Sequence, residues 1–522
     1  MPEVRDPAMK DSGVRIAVKG FRVEGNAHIS EAKLFADVLT LREAPGKSLS
    51  LSELNAVAAE VTRYYRQNGY LVAVAYIRPQ EVADGLVTIS VLEGQLDRVR
   101  TEERAGYSAQ TLRSFVEEAL CGQSAPDCHG TPLETRRVER AVGLVADLPG
   151  VADASGTLSP GREVGSSDYA LNVTPGPAVS WRLGLDNYGN RYIGRERLSG
   201  YMRLDNLSGR GERIVANLYT TTRGMDGGTL DASLPIGYDG WRGGVELSSF
   251  DYRLLAPFDV VDAHGRANVL TGYATYPLLR SNADNIYLRG AYSAKQLSDS
   301  ILGSVSDKRA GVFSLGVSGS GIDTFLGGGF TAGALSFFQG QMDYRFPLAA
   351  GAKDGSGNYG KTTYSLSRDH TLAYPGATSR LSLYAAVQGQ KAGRNLDSSE
   401  SFSLGGPDGV RAYPQGEALG DSGHVATLEL RYSFAIPLFG GSDATVGLFR
   451  DIGRATINEN PVPGYAGPAK RSLSGSGIAL SLVKRDRFGV KLTWASRDSG
   501  SDPATAEPDS RSRFWLQAIF NF

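Results

Sequence analysis

The sequence predicts a membrane β-barrel of about 16 antiparallel strands that follows two small α/β domains. Three observations lead to this fold class. After Pro177, segments of about ten residues alternate apolar and polar side chains between turns rich in Gly, Asp, Asn and Ser. Before Pro175, helical and strand patterns alternate, and one order of elements occurs twice. The chain of 522 residues contains 65 Gly, 24 Tyr and 19 Phe, which suits many strands with aromatic residues at the membrane boundaries.

The first α/β domain is predicted over residues 15–94, after an N-terminal segment at 1–14. A helix is expected to start near Ser30. Ser50 and Glu53 form a capping box that opens a second helix. The apolar face of that second helix consists of Leu51, Leu54, Ala58, Val61 and Tyr65, and the helix ends at Gly69. The strands are expected at Arg15–Val23, Leu71–Ile77 and Leu86–Leu92. The order is therefore β-α-α-β-β.

The same order is predicted again over residues 95–176. Ser108 is expected to cap the first helix of this second domain. Thr131 and Glu134 match a capping box for the second helix, with Pro132 at its first position. The core residues of the two helices are Leu112, Phe115, Val116 and Ala119, then Val138, Val142 and Val145. The strands are expected at Leu96–Arg100, Val151–Leu158 and Tyr169–Val173.

The chain has two cysteines, Cys121 and Cys128, in the second domain. Their spacing fits a disulfide in an oxidising compartment such as the periplasm. Such a short loop would stabilise the fold by about 2–3 kcal/mol on the chain-entropy model. Two free buried thiols are the alternative. His129 adjoins Cys128, but two adjacent ligands do not make a tetrahedral metal site, so neither a metal nor another cofactor is expected.

Composition excludes other classes of protein. The 55 Lys and Arg residues nearly balance the 56 Asp and Glu residues, which argues against binding to nucleic acid. No run of about 18 apolar residues is present, as a transmembrane helix would require. The first ten residues lack a basic stretch followed by an apolar one, so no signal peptide is predicted. The scattered histidines, and the absence of nucleophile and nucleotide motifs, argue against an enzyme.

The barrel is predicted over residues 177–522. In 425–434 the side chains of Leu428, Leu430 and Tyr432 lie on one face, opposite Glu429 and Arg431. The first and last strands are expected near 179–189 and at 512–522. A soluble protein of two packed sheets is the alternative. Repetition of the pattern over so many strands favours a closed barrel with a polar lumen.

Across nearly its whole length the sequence resembles the TpsB transporters of two-partner secretion. The paired α/β domains look like two POTRA domains. The segments 185–190 and 193–195 look like the first hairpin of that family's barrel, and 205–212 looks like its next turn.

Two motifs make the resemblance specific. Residues 405–414, Gly-Gly-Pro-Asp-Gly-Val-Arg-Ala-Tyr-Pro, resemble the tip of a long loop that folds back into the barrel in this superfamily, and 416–423 follows in the expected place. Residues 449–453, Phe-Arg-Asp-Ile-Gly, resemble the strand motif whose Asp receives the Arg of the loop tip. The infolded loop is expected at about 391–424.

The resemblance implies roles for individual residues. Arg411 and Asp451 are expected to form the pair that holds the loop in the pore. Gly409, Val410 and Tyr413 complete the motif of the loop tip, and Phe449 and Gly453 complete the motif of the strand. The strand alternation independently places Asp451 on the lumen side, opposite Val446 and Leu448. In a partly hydrated lumen the pair would be worth about 1–3 kcal/mol.

The sequence departs from the family pattern at two places. Ala412 stands where the commonest form has Gly, so its backbone should avoid positive φ. Family members usually carry an amphipathic plug helix before the first POTRA domain. Here 14 mostly polar residues precede the first strand, so that helix is expected to be absent or truncated.

The resemblance implies a translocation pore in the bacterial outer membrane, with its POTRA domains in the periplasm. Its partner would be an unfolded exoprotein, the TpsA partner of adhesin or haemolysin type. A monomer surrounded by outer-membrane lipid and lipopolysaccharide is expected. A barrel-assembly insertase of the same superfamily is the main alternative, although it would carry more POTRA repeats. A passive porin is the second alternative, but the two α/β domains would then have no role.

Overall fold

The computed structural model describes residues 15–39, 47–122, 128–348, 352–461, 463, 465, 467–505 and 510–522. The N-terminal segment at 1–14 and residues 123–127 of the cysteine loop lie outside these described residues. The chain divides into two compact units, Met1–Gly176 and Pro177–Phe522. No helix in the described part is both long enough and apolar enough to cross a membrane.

The first unit begins with an α/β domain. Its elements are β1 Arg15–Val18, β2 Gly20–Glu24, α1 Glu31–Leu34 with a π-helical turn at Phe35–Leu39, β3 Lys47–Ser50, α2 Leu51–Gln67, β4 Val74–Tyr76 and β5 Leu86–Leu92. Strand β5 is central in a three-stranded sheet, parallel to β2 and antiparallel to β4. Strand β1 pairs with β3 outside this sheet. Helix α2 contributes Leu54, Val57, Ala58, Val61 and Tyr65 to the core.

Two strand predictions in this domain need correction. The expected strand at Arg15–Val23 is divided between β1 and β2, because the Lys19 N–H donates to the Gly85 carbonyl, 2.7 Å away, where the chain changes sheets. The expected strand at Leu71–Ile77 is shorter, since the Leu71 N–H donates to the carbonyl of Leu133 instead of joining the sheet. Of this expected strand, only Val74–Tyr76 pairs with β5.

The predicted start of α2 is confirmed. The Glu53 N–H donates to Ser50 Oγ at 3.3 Å, and the Ser50 N–H donates to Glu53 Oε2 at 2.7 Å. Both bonds of the capping box are therefore made. Leu51 does not belong to the buried face, because it is the first helical residue and lies at the surface.

Apart from β1 and β3, which were not expected as separate strands, the first domain has the predicted β-α-α-β-β order, and the second α/β domain repeats it. Its elements are β6 Gln95–Arg100, α3 Ala109–Cys121, α4 Thr135–Ala146, β7 Val151–Pro160 and β8 Ser166–Pro175. Strand β8 is central, parallel to β6 and antiparallel to β7. Ser108 caps α3 by accepting the Thr111 N–H at 3.1 Å. The core includes Leu96, Leu112, Phe115, Val116, Val145 and Tyr169.

The capping box expected at Thr131 and Glu134 is wrong. Helix α4 begins at Thr135, and Glu134 occupies the cap position without a side-chain bond. Residues 131–134 are extended, since the Leu96 N–H donates to the Thr131 carbonyl at 2.8 Å and Pro132 forms a bridge with Gln95. The backbone of the supposed first turn is therefore engaged in strand-type pairing, which the local sequence does not reveal.

The second unit is a closed antiparallel barrel of 16 strands, as predicted. The strands are β9 Val179–Asp186, β10 Arg197–Asp205, β11 Arg213–Thr221, β12 Met225–Pro235, β13 Arg242–Arg253, β14 His264–Arg280, β15 Asp284–Ile301, β16 Ser304–Asp323, β17 Gly329–Tyr344, β18 Gly357–Gly376, β19 Ser379–Ala392, β22 Ser422–Ile436, β23 Ser442–Thr456, β24 Lys470–Lys484, β25 Phe488–Arg497 and β26 Ser512–Asn521. The last strand pairs with the first and closes the wall. Two short strands, β20 Phe402–Ser403 and β21 Leu419–Gly420, lie in the connection between β19 and β22.

Side chains alternate between the outside of the barrel and its lumen. Leu428 and Leu430 of β22 are exposed on the outside, whereas Glu429 between them is buried. Strand β23 follows the same alternation, with Leu448 outside and Asp451 buried. Strand β9 begins, and β26 ends, at one end of the barrel, here termed the terminal end. The opposite end, termed the loop end, carries the connection of residues 393–421, termed the pore loop.

Candidate functional site

The pore loop folds into a neck and a compact tip. The neck is the pairing of β20 with β21, in which Phe402 faces Gly420 and Ser403 faces Leu419. In the tip, the Val410 N–H donates to the Leu404 carbonyl at 2.7 Å. A Cβ at Gly409 would lie 2.1 Å from that same carbonyl oxygen, so only glycine permits this close turn. The tip is therefore shaped by its own backbone contacts.

Arg411 projects from the tip onto the barrel wall. Its Nε donates to Asp451 Oδ2 and its Nη2 to Asp451 Oδ1, each at 2.9 Å. Its backbone N–H also donates to Asp451 Oδ2, at 3.1 Å. The guanidinium lies over the ring of Phe449, 3.2 Å from the centroid. Arg411 is 6% exposed and Asp451 fully buried, so the expected pair lies in a drier setting than a partly hydrated lumen.

Glu429 of β22 is a second acidic partner that sequence reasoning missed. Arg411 Nη1 donates to Glu429 Oε2 at 2.9 Å. Arg431 Nε donates to Glu429 Oε1 at 2.9 Å, and Arg431 Nη1 reaches Asp369 Oδ2 at 3.1 Å. A row of alternating charges thus extends from the loop tip along the lumen wall. The alternation of 425–434 placed Glu429 on the lumen face, but only the pairing of β22 with β23 brings it to Asp451.

The remaining motif residues allow the tip to pack closely against the barrel wall. Val410 is buried, and a Cβ at Gly453 would lie 3.0 Å from Val410 Cγ2. Glycine at 453 therefore lets the tip approach β23 closely. Ala412 is buried and lies against β24, where a Cβ at Gly475 would come within 2.4 Å of the alanine methyl group. Ala412 is not among the residues with positive φ, in agreement with the expectation for a residue other than glycine.

Three further hydrogen bonds fix the tip against the loop end. The Tyr413 hydroxyl lies 2.6 Å from Ser501 Oγ and donates to the Asp502 carbonyl at 2.7 Å. Trp515 Nε1 of β26 donates to the Arg411 carbonyl at 2.7 Å. The backbone of Arg411 is thus bonded on both sides, to β23 through its N–H and to β26 through its carbonyl.

The beginning of the pore loop is held on a different part of the wall. Glu400 is buried between Lys295 of β15 and Lys361 of β18, at 2.5 Å and 2.9 Å. Asp397 pairs with Lys308 of β16 at 3.0 Å. These contacts, termed the loop base, have the opposite polarity to the tip, because here the loop carries the acids and the wall carries the bases. The loop base was not expected from the sequence.

The structure joins Cys121 and Cys128 in a disulfide, with their Cα atoms 5.6 Å apart. Cys128 is therefore not available as a thiolate ligand beside His129. His129 Nε2 instead lies 3.8 Å from Asp97 Oδ1. The Arg162 guanidinium and backbone N–H also donate to Asp97, and these bonds hold the pKa of its carboxyl well below the usual range.

Comparison with known families gives two matches. Residues 165–482 match the model of the haemolysin secretion/activation proteins ShlB, FhaC and HecB. Residues 16–94 match the ShlB-type POTRA domain. The first match covers the motifs of the loop tip and of β23, and more than half of the chain.

Curated relatives and a solved structure agree with these matches. The heme/hemopexin transporter protein HuxB of Haemophilus influenzae is 26% identical over 92% of this chain and 83% of its own length. The hemolysin transporter protein ShlB of Serratia marcescens is 26% identical over 87% of this chain and 78% of its own length. The structure of CdiB from Escherichia coli has the same fold, with a TM-score of 0.75 and 19% identity over 100% of this chain and 93% of that chain.

Proposed function

The chain belongs to the family of haemolysin secretion/activation proteins ShlB, FhaC and HecB, and on this premise we propose how its own residues serve secretion. The protein is an outer-membrane secretion pore, whose chain forms a periplasmic POTRA domain and then a 16-stranded barrel. Neither the insertase nor the passive porin is favoured. The proposal concerns the recognition of the exoprotein and the movement of the pore loop.

Recognition is proposed to use the edges of both α/β sheets. The second domain is treated as a second POTRA domain, since it repeats the β-α-α-β-β order of the first. Strands β4 and β7 each lie at the edge of a three-stranded sheet. An unfolded exoprotein can add to such an edge through main-chain hydrogen bonds, which demand few specific side chains. The exoprotein is proposed to be of adhesin or haemolysin type.

The pore loop is proposed to alternate between an anchored and a displaced position. The observation that carries this proposal is the bonding of Arg411 to both Asp451 and Glu429. Removing one partner from a buried charge cluster costs about 3–5 kcal/mol, because the other charge is left without compensation. The anchored position is therefore well defined, yet the contacts are non-covalent and a passing chain that replaces them can displace the tip.

No catalytic residue, metal or cofactor has a role in this proposal. Folding of the exoprotein outside the cell is proposed to drive export, because the sequence contains no nucleotide-binding motif. The barrel is closed by its own strands and exposes leucines such as Leu218 and Leu448. These features support a monomer surrounded by outer-membrane lipid and lipopolysaccharide.

The test is secretion of the exoprotein encoded beside the gene for this chain. Cells producing wild-type protein should release it into the medium, and Arg411→Ala should sharply reduce release. Arg394→Ala is the matched control, since Arg394 lies in the same loop and, among the residues that the structure describes, donates to the Asn358 carbonyl alone, 3.0 Å away. A heat-dependent gel shift checks that each barrel is folded. Normal release by Arg411→Ala would contradict the role of the anchor.

A further inference from the structure

The pore loop is bonded to only part of the lumen wall. Its first half reaches β15, β16 and β18 through the loop base, and its tip reaches β22, β23, β24 and β26. Within the described part of the chain, no hydrogen bond or ion pair of residues 393–421 reaches strands β10–β14. These five strands form a contiguous section of the barrel, termed the uncovered wall.

The arginines of the uncovered wall nearest the terminal end have bonding partners there. Asp205 of β10 accepts from Arg213 at 2.7 Å and lies 3.0 Å from Arg203. The Arg242 guanidinium donates to the Gly211 carbonyl at 3.0 Å. These arginines therefore already have partners at the entrance to the lumen.

Between the facing acids Asp231 and Glu246 and the last lumen residue of β10, Arg197, which pairs with Asp186 at 2.7 Å, the lumen face is neutral. The alternation that exposes Leu218 and Leu247 outside turns Tyr219 and Phe250 to the lumen, where their rings lie 6.2 Å apart. Between the rings and the charged end, Asn217 donates to Thr229 at 3.0 Å. On β14, the Thr271 hydroxyl lies 2.9 Å from that of Ser293 on β15. Hydroxyl groups, an amide and two ring faces thus line the wall.

We propose that the uncovered wall is the surface along which the exoprotein crosses the pore. This inference rests on the proposed secretion function and adds the place and chemistry of contact. Every barrel strand already uses its backbone groups with its neighbours, so a passing chain cannot join the wall as a strand. It contacts side chains instead. Neutral hydroxyl and amide groups and ring faces suit an extended segment of uncharged polar residues, and they accept many sequences.

Photo-crosslinking during secretion tests the place of contact. A photoreactive phenylalanine is introduced at Tyr219 or Phe250, and the epitope-tagged exoprotein encoded beside the gene for this chain is the probe. Phe338 of β17 is the covered control, because it packs against the apolar cluster that contains Leu396 of the pore loop. Tyr292, which is 58% exposed on the outer face of β15, is the outside control. We expect crosslinks from 219 and 250, few from 338 and none from 292.

The outcomes separate the two proposals. Secretion with crosslinks from 338 that equal or exceed those from 219 and 250 would overturn the uncovered wall as the path and leave the secretion function intact. No secretion by the unmodified chain would instead contradict the proposed function.

Thiol labelling of purified, folded barrel provides a second measurement without the exoprotein. The only two native cysteines are bonded to each other, so an introduced cysteine is the sole free thiol. Tyr219→Cys and Phe250→Cys should react with a charged methanethiosulfonate about tenfold faster than Phe338→Cys, since thiol reactivity depends on access. Equal rates would show that the loop does not leave this wall open, and would overturn the proposal.

Discussion

Asp451 accepts hydrogen bonds from both the side chain and the backbone N–H of Arg411, at 2.9 Å and 3.1 Å. The carboxylate therefore fixes the direction of the loop's main chain as well as the position of the guanidinium. Lysine at 411 could reach the acid, but it could not supply the paired donors that the planar guanidinium offers.

Arg411 bonds two acids and Asp451 bonds one arginine, so losing Arg411 should cost more than losing Asp451. Arg411→Ala leaves Asp451 without its cation and Glu429 with Arg431 alone, whereas Asp451→Ala leaves Arg411 bonded to Glu429. We expect both variants to secrete poorly, with the greater loss for Arg411→Ala. The double variant should lose little more than Arg411→Ala alone, because residues in contact are not additive. Quantifying the exoprotein in the medium checks this, and strictly additive losses would show that the two residues act separately.

A charge reversal adds a second check on the same pair. Arg411→Asp combined with Asp451→Arg should restore part of the secretion lost in either single variant. Recovery will be incomplete, because the side chains differ in length and Glu429 would then face an aspartate. No recovery at all, in barrels that still show the heat-dependent shift, would count against direct pairing.

Glu429→Gln should weaken the bonding of the loop tip to the wall without leaving a cavity at position 429. The glutamine fills the same volume, but it removes the charge that faces both Arg411 and Arg431. We expect a several-fold loss of secretion, smaller than that of Arg411→Ala, because Asp451 still neutralises Arg411. Glu246→Gln is the control on the lumen side of the uncovered wall. Equal effects of the two substitutions would mean that charge in the lumen matters in general, and the contact with Arg411 does not.

The disulfide should stabilise the second α/β domain. Because Cys121 and Cys128 close a loop with a sequence separation of 7, replacing both with serine should lower the free energy of unfolding of this domain by about 2–3 kcal/mol. Pulse proteolysis in urea, followed on a fragment of residues 95–176 released from the full chain, measures this. Adding a reductant to wild-type protein should lower the free energy of unfolding of this domain by the same amount. An unchanged urea midpoint for residues 95–176 would contradict the prediction.

Acid should remove the contribution of the contact between Asp97 and Arg162. The pKa of Asp97 is lowered by hydrogen bonds from the Arg162 guanidinium and backbone N–H. A carboxyl with a lowered folded pKa stabilises the fold above its ordinary pKa of about 4, and this stability is lost as the pH falls through the folded value. Arg162→Gln should therefore speed amide exchange in peptides of residues 95–176 at pH 7, after correction for intrinsic rates.

The difference between Arg162→Gln and wild type should shrink only below the ordinary pKa of the carboxyl. A difference that already disappears between pH 7 and pH 5 would show that another group titrates. Arg104→Gln is the control, because Arg104 lies in the same domain and pairs with exposed Glu102 at the surface.

Alternation and turn chemistry sufficed to predict the barrel, its 16 strands and the inward phase of Asp451, because these depend on periodicity along one chain. Glu429 and the loop base depend on which strands become neighbours and at what register, which is not encoded locally. Lys295, Lys308 and Lys361 lie on three strands and look like ordinary lumen charges until the loop is in place. The capping box predicted at Thr131 was wrong for a different reason. The local sequence pattern is present, but the backbone of this segment pairs with β6 instead of starting the helix.

The neck of the pore loop has an electrical consequence. Two paired positions, Phe402 with Gly420 and Ser403 with Leu419, form the stem from which the compact tip extends. The bonds inside the tip, such as the one from Val410 to Leu404, keep it intact when it leaves the wall. Such a tip moves as one body about a narrow stem. Single-channel recordings should therefore show abrupt steps between two current levels, with no continuous range of intermediate currents.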